Sequence, residues 1–465
     1  MSLGWRTVVV CCVLALVTGL GPWSGASAFT ATTLQLSTGK ALADDPADVA
    51  VALHDETGAP VAGASVLLER RAGGVWQPVT TLVTDATGHA GAQLPVARVA
   101  DDNTLRASYA GDAAHAPAAA EAAMSIERRG AKVSLSGPRT VVDERSIRLR
   151  VRWRTETDLP LAGEVAIYRR QGKGPWREYA AVQTDAGGRA VLEVAPRRDS
   201  RWQARAPRLD WVRADRSKAH RVDNEPPVRP VRLPTAAPRP RVDLPPQRRA
   251  VGDGAHVRIR RIGDGVWRQM TGVTWHSGCP VGRGGLRIVR VNYWGYDGYR
   301  HRGEIVAAAS AAAAMGAALA EMYDRRLPIL SMYRVDRFGW SKRLRGGDDY
   351  RSMAAGNTSA FNCRDVVGRS GRRSPHAWGR SLDVNTWENP YRSAHGVVPN
   401  GWWQARSHRL VAWRSRSHAV VRLMARHGLR WSFGNGDTQH FDYAGGPQRL
   451  LAAQGGPAPC RRFCD

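Results

Sequence analysis

Ser374-Pro-His-Ala-Trp-Gly-Arg-Ser-Leu-Asp383 sets an imidazole and a carboxylate seven positions apart, His376 and Asp383. About sixty residues later, Asp437-Thr-Gln-His440 adds a second pair. Two imidazoles and two carboxylates are the set that holds one catalytic zinc and activates its water. Leu382 and Val384 flank Asp383 with apolar side chains, as on a strand, and a buried carboxylate there needs a partner. Gly379 lets the intervening segment bend. His376, Asp383 and His440 fill three tetrahedral positions and leave the fourth for water, the catalytic rather than the structural arrangement. Asp437 stands at a turn–strand junction, close enough to take a proton from that water without being a ligand. Taken singly, each residue reads as a loop imidazole or as the partner of one of the many Arg. The joint pattern points to a metal.

The surrounding sequence predicts an α+β domain from about Val251. Leu286–Tyr293 alternates and reads as a strand. Glu304–Arg326 is Ala-rich, with Val306, Met315, Leu319 and Met322 on a helical period. Its acidic start and basic end suit the helix dipole, so a packed helix is expected. Pro328 ends it, and Ile329–Tyr333 reads as a strand. A second helix is expected over Ser415–His427, stopped by Gly428, with His418 and His427 as surface or helix-end residues rather than ligands. Strands are expected at Leu429–Phe433 and Thr438–Tyr443, with a Gly-Asn-Gly turn between them.

Upstream, residues 29–126 and 127–223 repeat one another at an offset of about one hundred. Pro60-Val-Ala-Gly63 answers Pro160-Leu-Ala-Gly163, and Gly74-Val-Trp76 answers Gly174-Pro-Trp176. Thr84-Asp-Ala-Thr-Gly88 answers Thr184-Asp-Ala-Gly-Gly188. Short alternating runs such as Val49–Leu53 and Ala64–Leu68, broken by Gly, Pro and Asp about every ten residues, predict all-β sandwiches. Neither repeat carries a catalytic constellation, so the expected role is a spacer or a wall-binding module. Residues 224–250 are too Pro-rich for a helix or a central strand and read as an extended, semi-rigid linker.

The chain of 465 residues carries a formal net charge of +27, almost wholly from scattered Arg. No stripe or nucleic-acid motif gathers them, so no nucleic-acid partner is expected. An Arg coding bias and an affinity for anionic wall polymers both fit. Arg6, the apolar run Val8–Leu20 and Ala26-Ser-Ala28 read as a cleaved secretory signal over residues 1–28, with an apolar run too short for a membrane span. The expected location is extracellular and wall-associated. Export makes disulfides the default for Cys279, Cys363, Cys460 and Cys464. Cys279–Cys363 with Cys460–Cys464 is the preferred pairing, because the last two are too close in sequence to need distant partners. A Cys-ligated structural zinc is a weak alternative for this spacing.

S-x-H-x-x-G-x-x-x-D followed by D-x-x-H resembles the zinc D-alanyl-D-alanine carboxypeptidases of peptidase family M15, of the VanY and L-alanyl-D-glutamate endopeptidase type. The resemblance runs from about Trp275 to Tyr443 and includes Trp275-His-Ser-Gly-Cys-Pro280, Tyr293-Trp-Gly-Tyr-Asp297, Asn357-Thr-Ser-Ala-Phe-Asn-Cys-Arg364 and Asn389-Pro-Tyr391. It implies a Hedgehog/DD-peptidase type of α+β fold, zinc on His376, Asp383 and His440, and Asp437 as general base. An upstream Arg would face the oxyanion, with Arg364 the first candidate and Arg351 the second. The substrate implied is a peptidoglycan stem peptide. The repeats resemble the immunoglobulin-like modules of bacterial exported proteins, through their PVAG, Trp and TDxxG pieces and the Tyr109-Ala-Gly-Asp112 turn. Two departures stand out: Ser381 where the family usually has Ala, and Asp437 where many members have Glu. The competing expectation is a wall-binding protein with an idle peptidase fold.

Overall fold

The computed structural model describes residues 29–445, apart from residues 241 and 243. The signal-like segment and the cysteines Cys460 and Cys464 lie outside the described residues. The chain divides into two compact units. Among the described residues, one holds those up to Arg139 with Ile147–Val194 and Asp199–Val222; the other holds Thr140–Ser146, Ala195–Arg198 and those from Asp223 on.

Among the described residues, the first unit is built of β-strands, with one short 3-10 turn at Ala100–Asn103. In the first repeat, Thr32–Thr38, Pro46–Asp55 and His89–Pro95 form one antiparallel sheet. Val75–Val83, Ser65–Ala72, Thr104–Tyr109 and Ala118–Ala123 form another. Side chains alternate in and out along each strand, so Val49, Val51 and Leu53 meet Val66, Leu68 and Leu105 in one core. The second repeat uses the equivalent strands, among them Ile147–Thr155 and Gly163–Gln171, and buries Trp153 and Trp202. The repeated Thr-Asp-x-x-Gly piece is one turn made twice. Asp85 Oδ1 accepts from the backbone N–H of Thr87 (2.8 Å) and His89 (3.0 Å), and Asp185 Oδ1 from Gly187 and Arg189 (both 2.9 Å). Gly88 and Gly188 close it at φ +76° and +70°; a Cβ there would sit 2.6 Å from the Leu53 carbonyl and 2.3 Å from that of Trp153.

The second unit is mixed. Strands Leu286–Trp294 and Arg300–Ala308 form its central hairpin, in register from Leu286↔Ala308 to Trp294↔Arg300, flanked by Arg258–Arg261 and Arg248–Arg249. Helix Ala309–Asp324 packs Ala311, Met315, Ala318 and Met322 on Val289, Val291 and Ile305. The expected helix start at Glu304 is therefore corrected. Ile305 and Val306 favour an extended chain, and Glu304 is fixed in mid-strand by Arg290 (3.0 Å) and Arg334 (2.7 Å). Ile329–Tyr333 is not a strand either, making only isolated bridges. Side-chain amides take three of its backbone donors instead: Leu330 N–H donates to Asn385 Oδ1 (3.0 Å), Met332 N–H to Gln247 Oε1 (3.2 Å) and Tyr333 N–H to Asn357 Oδ1 (2.8 Å).

A three-stranded antiparallel sheet completes the unit, in the order Ser381–Asp383, His440–Tyr443, Leu429–Arg430. Strands Leu429–Arg430 and His440–Tyr443 and the helix Ala419–Arg426 are all shorter than expected. His418 caps the start of that helix, and His427 at its end lies 2.7 Å from Glu321. The Cys279–Cys363 disulfide is formed.

The Pro-rich run after Asn224 is extended, as its composition requires, but it does not stand free. Val231 N–H donates to the Tyr296 carbonyl (2.8 Å) and Trp387 Nε1 to that of Pro238 (2.6 Å). Leu233 and Ala237 lie on Trp387 and Trp403, and Val242 and Leu244 on Tyr333 and Phe338. Among the described residues, no helix is long and apolar enough to cross a membrane.

Candidate metal centre

The three-stranded sheet places the candidate ligands by register. Asp383 ends its strand directly opposite His440, the first residue of the next. Adjacent antiparallel partners hold their side chains about 5 Å apart, which brings the carboxylate and imidazole together. His376 arrives on the single turn Pro375–Trp378. Ser374 caps its start, and Gly379 ends it at φ +67°, where a Cβ would meet the Ala308 backbone N at 2.7 Å.

The three side chains converge on one point. His376 Nε2 lies 3.1 Å from His440 Nδ1 and 3.1 Å from Asp383 Oδ2, and His440 Nδ1 lies 3.2 Å from Asp383 Oδ1. All three residues are buried. Each is aimed from behind. His376 Nδ1 is 2.6 Å from the Ala360 carbonyl. His440 Nε2 is 2.8 Å from Asp442 Oδ1, which also accepts from the Ser381 hydroxyl at 2.6 Å. Outer partners of this kind fix ring orientation and raise ligand basicity at metal sites.

The electrostatics belong to one coupled cluster. Burial opposes charge on His440, yet its hydrogen bonds to the Asp383 and Asp442 carboxylates hold it up to about 10. Against the same burial, His376 and His440 hold Asp383 well below the usual carboxylate range. Three ligand-type atoms within 4.8 Å of one another, with oriented second partners, suit a small divalent cation that prefers N and O donors, such as zinc.

A cavity of about 390 Å³ opens beside the cluster and is lined by His376, Asp383, His440, Asp437 and Arg364 among others. Asp437 Oδ1 is shut off from solvent and has no hydrogen-bond partner. That burial, ahead of the nearby Asp383 charge, raises Asp437 well above the usual carboxylate range. Arg364 is buried and donates to Asp349 Oδ2 at 2.5 Å. Arg351 is not among the cavity-lining residues; its guanidinium donates instead to the Phe338 carbonyl at 3.4 Å. His276, Cys279 and Cys363 also cluster, but both sulfurs are committed to the disulfide, which leaves no thiolate for a metal. Asp349, Asp442 and the backing role of Ser381 escaped the sequence reading. Asp442 had a signal, since it stands two residues after His440 and shares a face of that strand.

Residues 368–443 match the family model described as D-alanyl-D-alanine carboxypeptidase, which supports a peptidase domain of that type here. The match spans His376, Asp383, Asp437 and His440, whereas Arg364 lies just before it. No curated protein matches the chain. Among solved structures, Escherichia coli alpha-2-macroglobulin activated by porcine elastase is 11% identical. That likeness covers 56% of this chain but 26% of the other, at a TM-score of 0.18.

Proposed function

We propose, from the carboxypeptidase-type match over residues 368–443 and the convergence of His376, Asp383 and His440, that the chain is a zinc-dependent peptidase. Its substrates are peptidoglycan stem peptides, cut as a D-Ala–D-Ala carboxypeptidase or an L-Ala–D-Glu endopeptidase would cut them. The observation that carries this reading is the ligand cluster opening onto one cavity with a partnerless carboxylate oxygen, Asp437 Oδ1. His376, Asp383 and His440 would hold the metal, which when bound lowers the pKa of a water and polarises a carbonyl. Asp437 Oδ1 takes the proton of the attacking water and returns it to the departing amine. The Arg364 guanidinium, fixed by Asp349, faces the oxygen on which negative charge develops.

The reading extends to the rest of the chain. The two repeats are immunoglobulin-like spacers on an exported, wall-associated protein. Residues 1–28 would be removed on export, and the disulfide fits an oxidising compartment. The test is to incubate purified protein with muropeptides and identify products by mass spectrometry, alongside metal analysis. About one zinc per chain and a single type of amide cleavage are expected, with Asp437→Ala keeping zinc and losing cleavage. Intact muropeptides and a zinc-free protein would leave a wall-binding protein with an idle peptidase fold.

A further inference from the structure

Beyond the ligand cluster, the cavity wall is basic. Two short hairpins form its rim. One pairs Asp365–Val366 with Arg369–Arg373 and the other pairs Tyr391–Ser393 with Gly396–Val398. They bring Arg369, Arg372, Arg373 and Arg392 to the lining. Arg373 is held by neutral partners, Cys363 Sγ and the Gly278 carbonyl, both at 3.2 Å. Arg392 faces the Gln404 side-chain amide. Arg369 and Arg372 are exposed, and no ion pair to a carboxylate is formed by either among the described residues. Elsewhere in the same unit, arginines do find acids: Arg283 pairs with Asp264, Arg290 and Arg334 with Glu304, and Arg426 with Glu321.

The acids of the cavity do not balance this wall. Asp349 is committed to Arg364, and Asp383 to the imidazoles. Asp437 is left against four rim guanidiniums. Arg364 is buried while Arg369 and Arg372 are exposed, so the rim pair stands outward of the reacting atoms. A guanidinium fork matches a carboxylate with two parallel hydrogen bonds.

Resting on the peptidase reading above, we propose that Arg369 and Arg372 form a carboxylate-reading subsite. The preferred substrate is an acidic peptide that presents a free carboxylate which is not itself part of the bond cut. Amidation of that carboxylate removes the recognised charge while leaving the scissile bond unchanged.

The probe is a matched pair of L-Ala–γ-D-Glu–L-Lys–D-Ala–D-Ala pentapeptides, with the D-glutamyl α-carboxylate free or amidated. Hydrolysis of both is measured with the native protein, and binding of both with Asp437→Ala. The free acid should be preferred by roughly tenfold, carried in KM rather than kcat and shrinking as salt rises. R369Q/R372Q, exposed positions whose melting temperature and zinc content serve as folding checks, should erase the preference by lowering only the acid's affinity. Equal binding of acid and amide overturns the proposal, even if both are cut and the peptidase reading stands. Preferential binding of the acid without hydrolysis keeps the subsite and removes the peptidase. A preference that survives in R369Q/R372Q also overturns the proposal, since the selectivity then lies elsewhere.

Discussion

Ser381 Oγ donates to Asp442 Oδ1 at 2.6 Å, and the same oxygen lies 2.8 Å from His440 Nε2. A serine one strand away thus orients the carboxylate that orients an imidazole of the cluster. Loss of such an outer carboxylate typically costs tenfold to a hundredfold in metal affinity. Asp442→Asn should weaken zinc binding by about that much, and Ser381→Ala by less, roughly threefold to tenfold at most. Competition with a chromophoric chelator measures both. Unchanged affinity in Asp442→Asn would show that the contact does not support the site.

Without metal, His440 keeps its proton to about pH 10, held by Asp383 and Asp442 against burial. A ligating imidazole must be neutral, so zinc binding at neutral pH should release a proton, and apparent affinity should rise with pH. Calorimetry in buffers of different ionisation enthalpy reads the proton count. The metal-free protein carries the linked stability term. His440 is raised above the 6.5 of an unfolded chain, so its contribution is complete below that pH and is lost as pH climbs through about 10. Asp383 is lowered, so its contribution is present above the ordinary Asp range and falls away only in strong acid.

Glu388 is fully buried, accepts from the Tyr296 hydroxyl at 3.0 Å, and leaves Oε1 without a partner. Burial pushes it up to about 8. Its native form keeps a proton that the unfolded chain loses above about 4.5, so stability should fall between those two values as pH rises. Glu388→Gln should flatten that slope, with the variant gaining up to about 1.4 kcal/mol per pH unit inside the window. Denaturant melts at pH 5, 6.5 and 8 test the sign. Parallel curves for the two proteins would refute it.

Arg364 and Asp349 are both buried at 2.5 Å, so removing one charge strands the other. Asp349→Ala should cost about 3–5 kcal/mol in stability. Arg364→Gln should lower kcat by roughly a hundredfold to a thousandfold, the usual loss for an oxyanion donor. The double variant Asp349→Asn with Arg364→Gln should recover most of the stability and none of the rate. Recovery of both would make Arg364 a structural ion-pair partner only.

The pieces that bring His376, Asp383 and His440 together were legible because each is short and local. Asp383 between Leu382 and Val384 reads as a strand residue, and D-x-x-H falls at a turn–strand junction within one short stretch. The turn repeated at Asp85 and Asp185 was legible for the same reason. Glu304–Ala308 misled because alanine reports helix propensity regardless of the partner strand, and the strand Leu286–Trp294 decides the matter. Ile329–Tyr333 misled because Asn357 and Asn385, distant in sequence, supply acceptors that a neighbouring strand would otherwise provide. The docking of Leu233 and Ala237 on Trp387 and Trp403 left no periodic trace, since an extended Pro-rich chain has no face to pattern.

The register that sets Asp383 opposite His440 also times the chemistry. Fifty-seven positions separate those two ligands, so a chain still on the ribosome at residue 436 holds neither the second imidazole nor Asp437. A one-residue slip of the closing strand would turn His440 to the opposite face and put Phe441 in its place. Half-made or misthreaded copies therefore lack the complete cluster until that final ladder has closed.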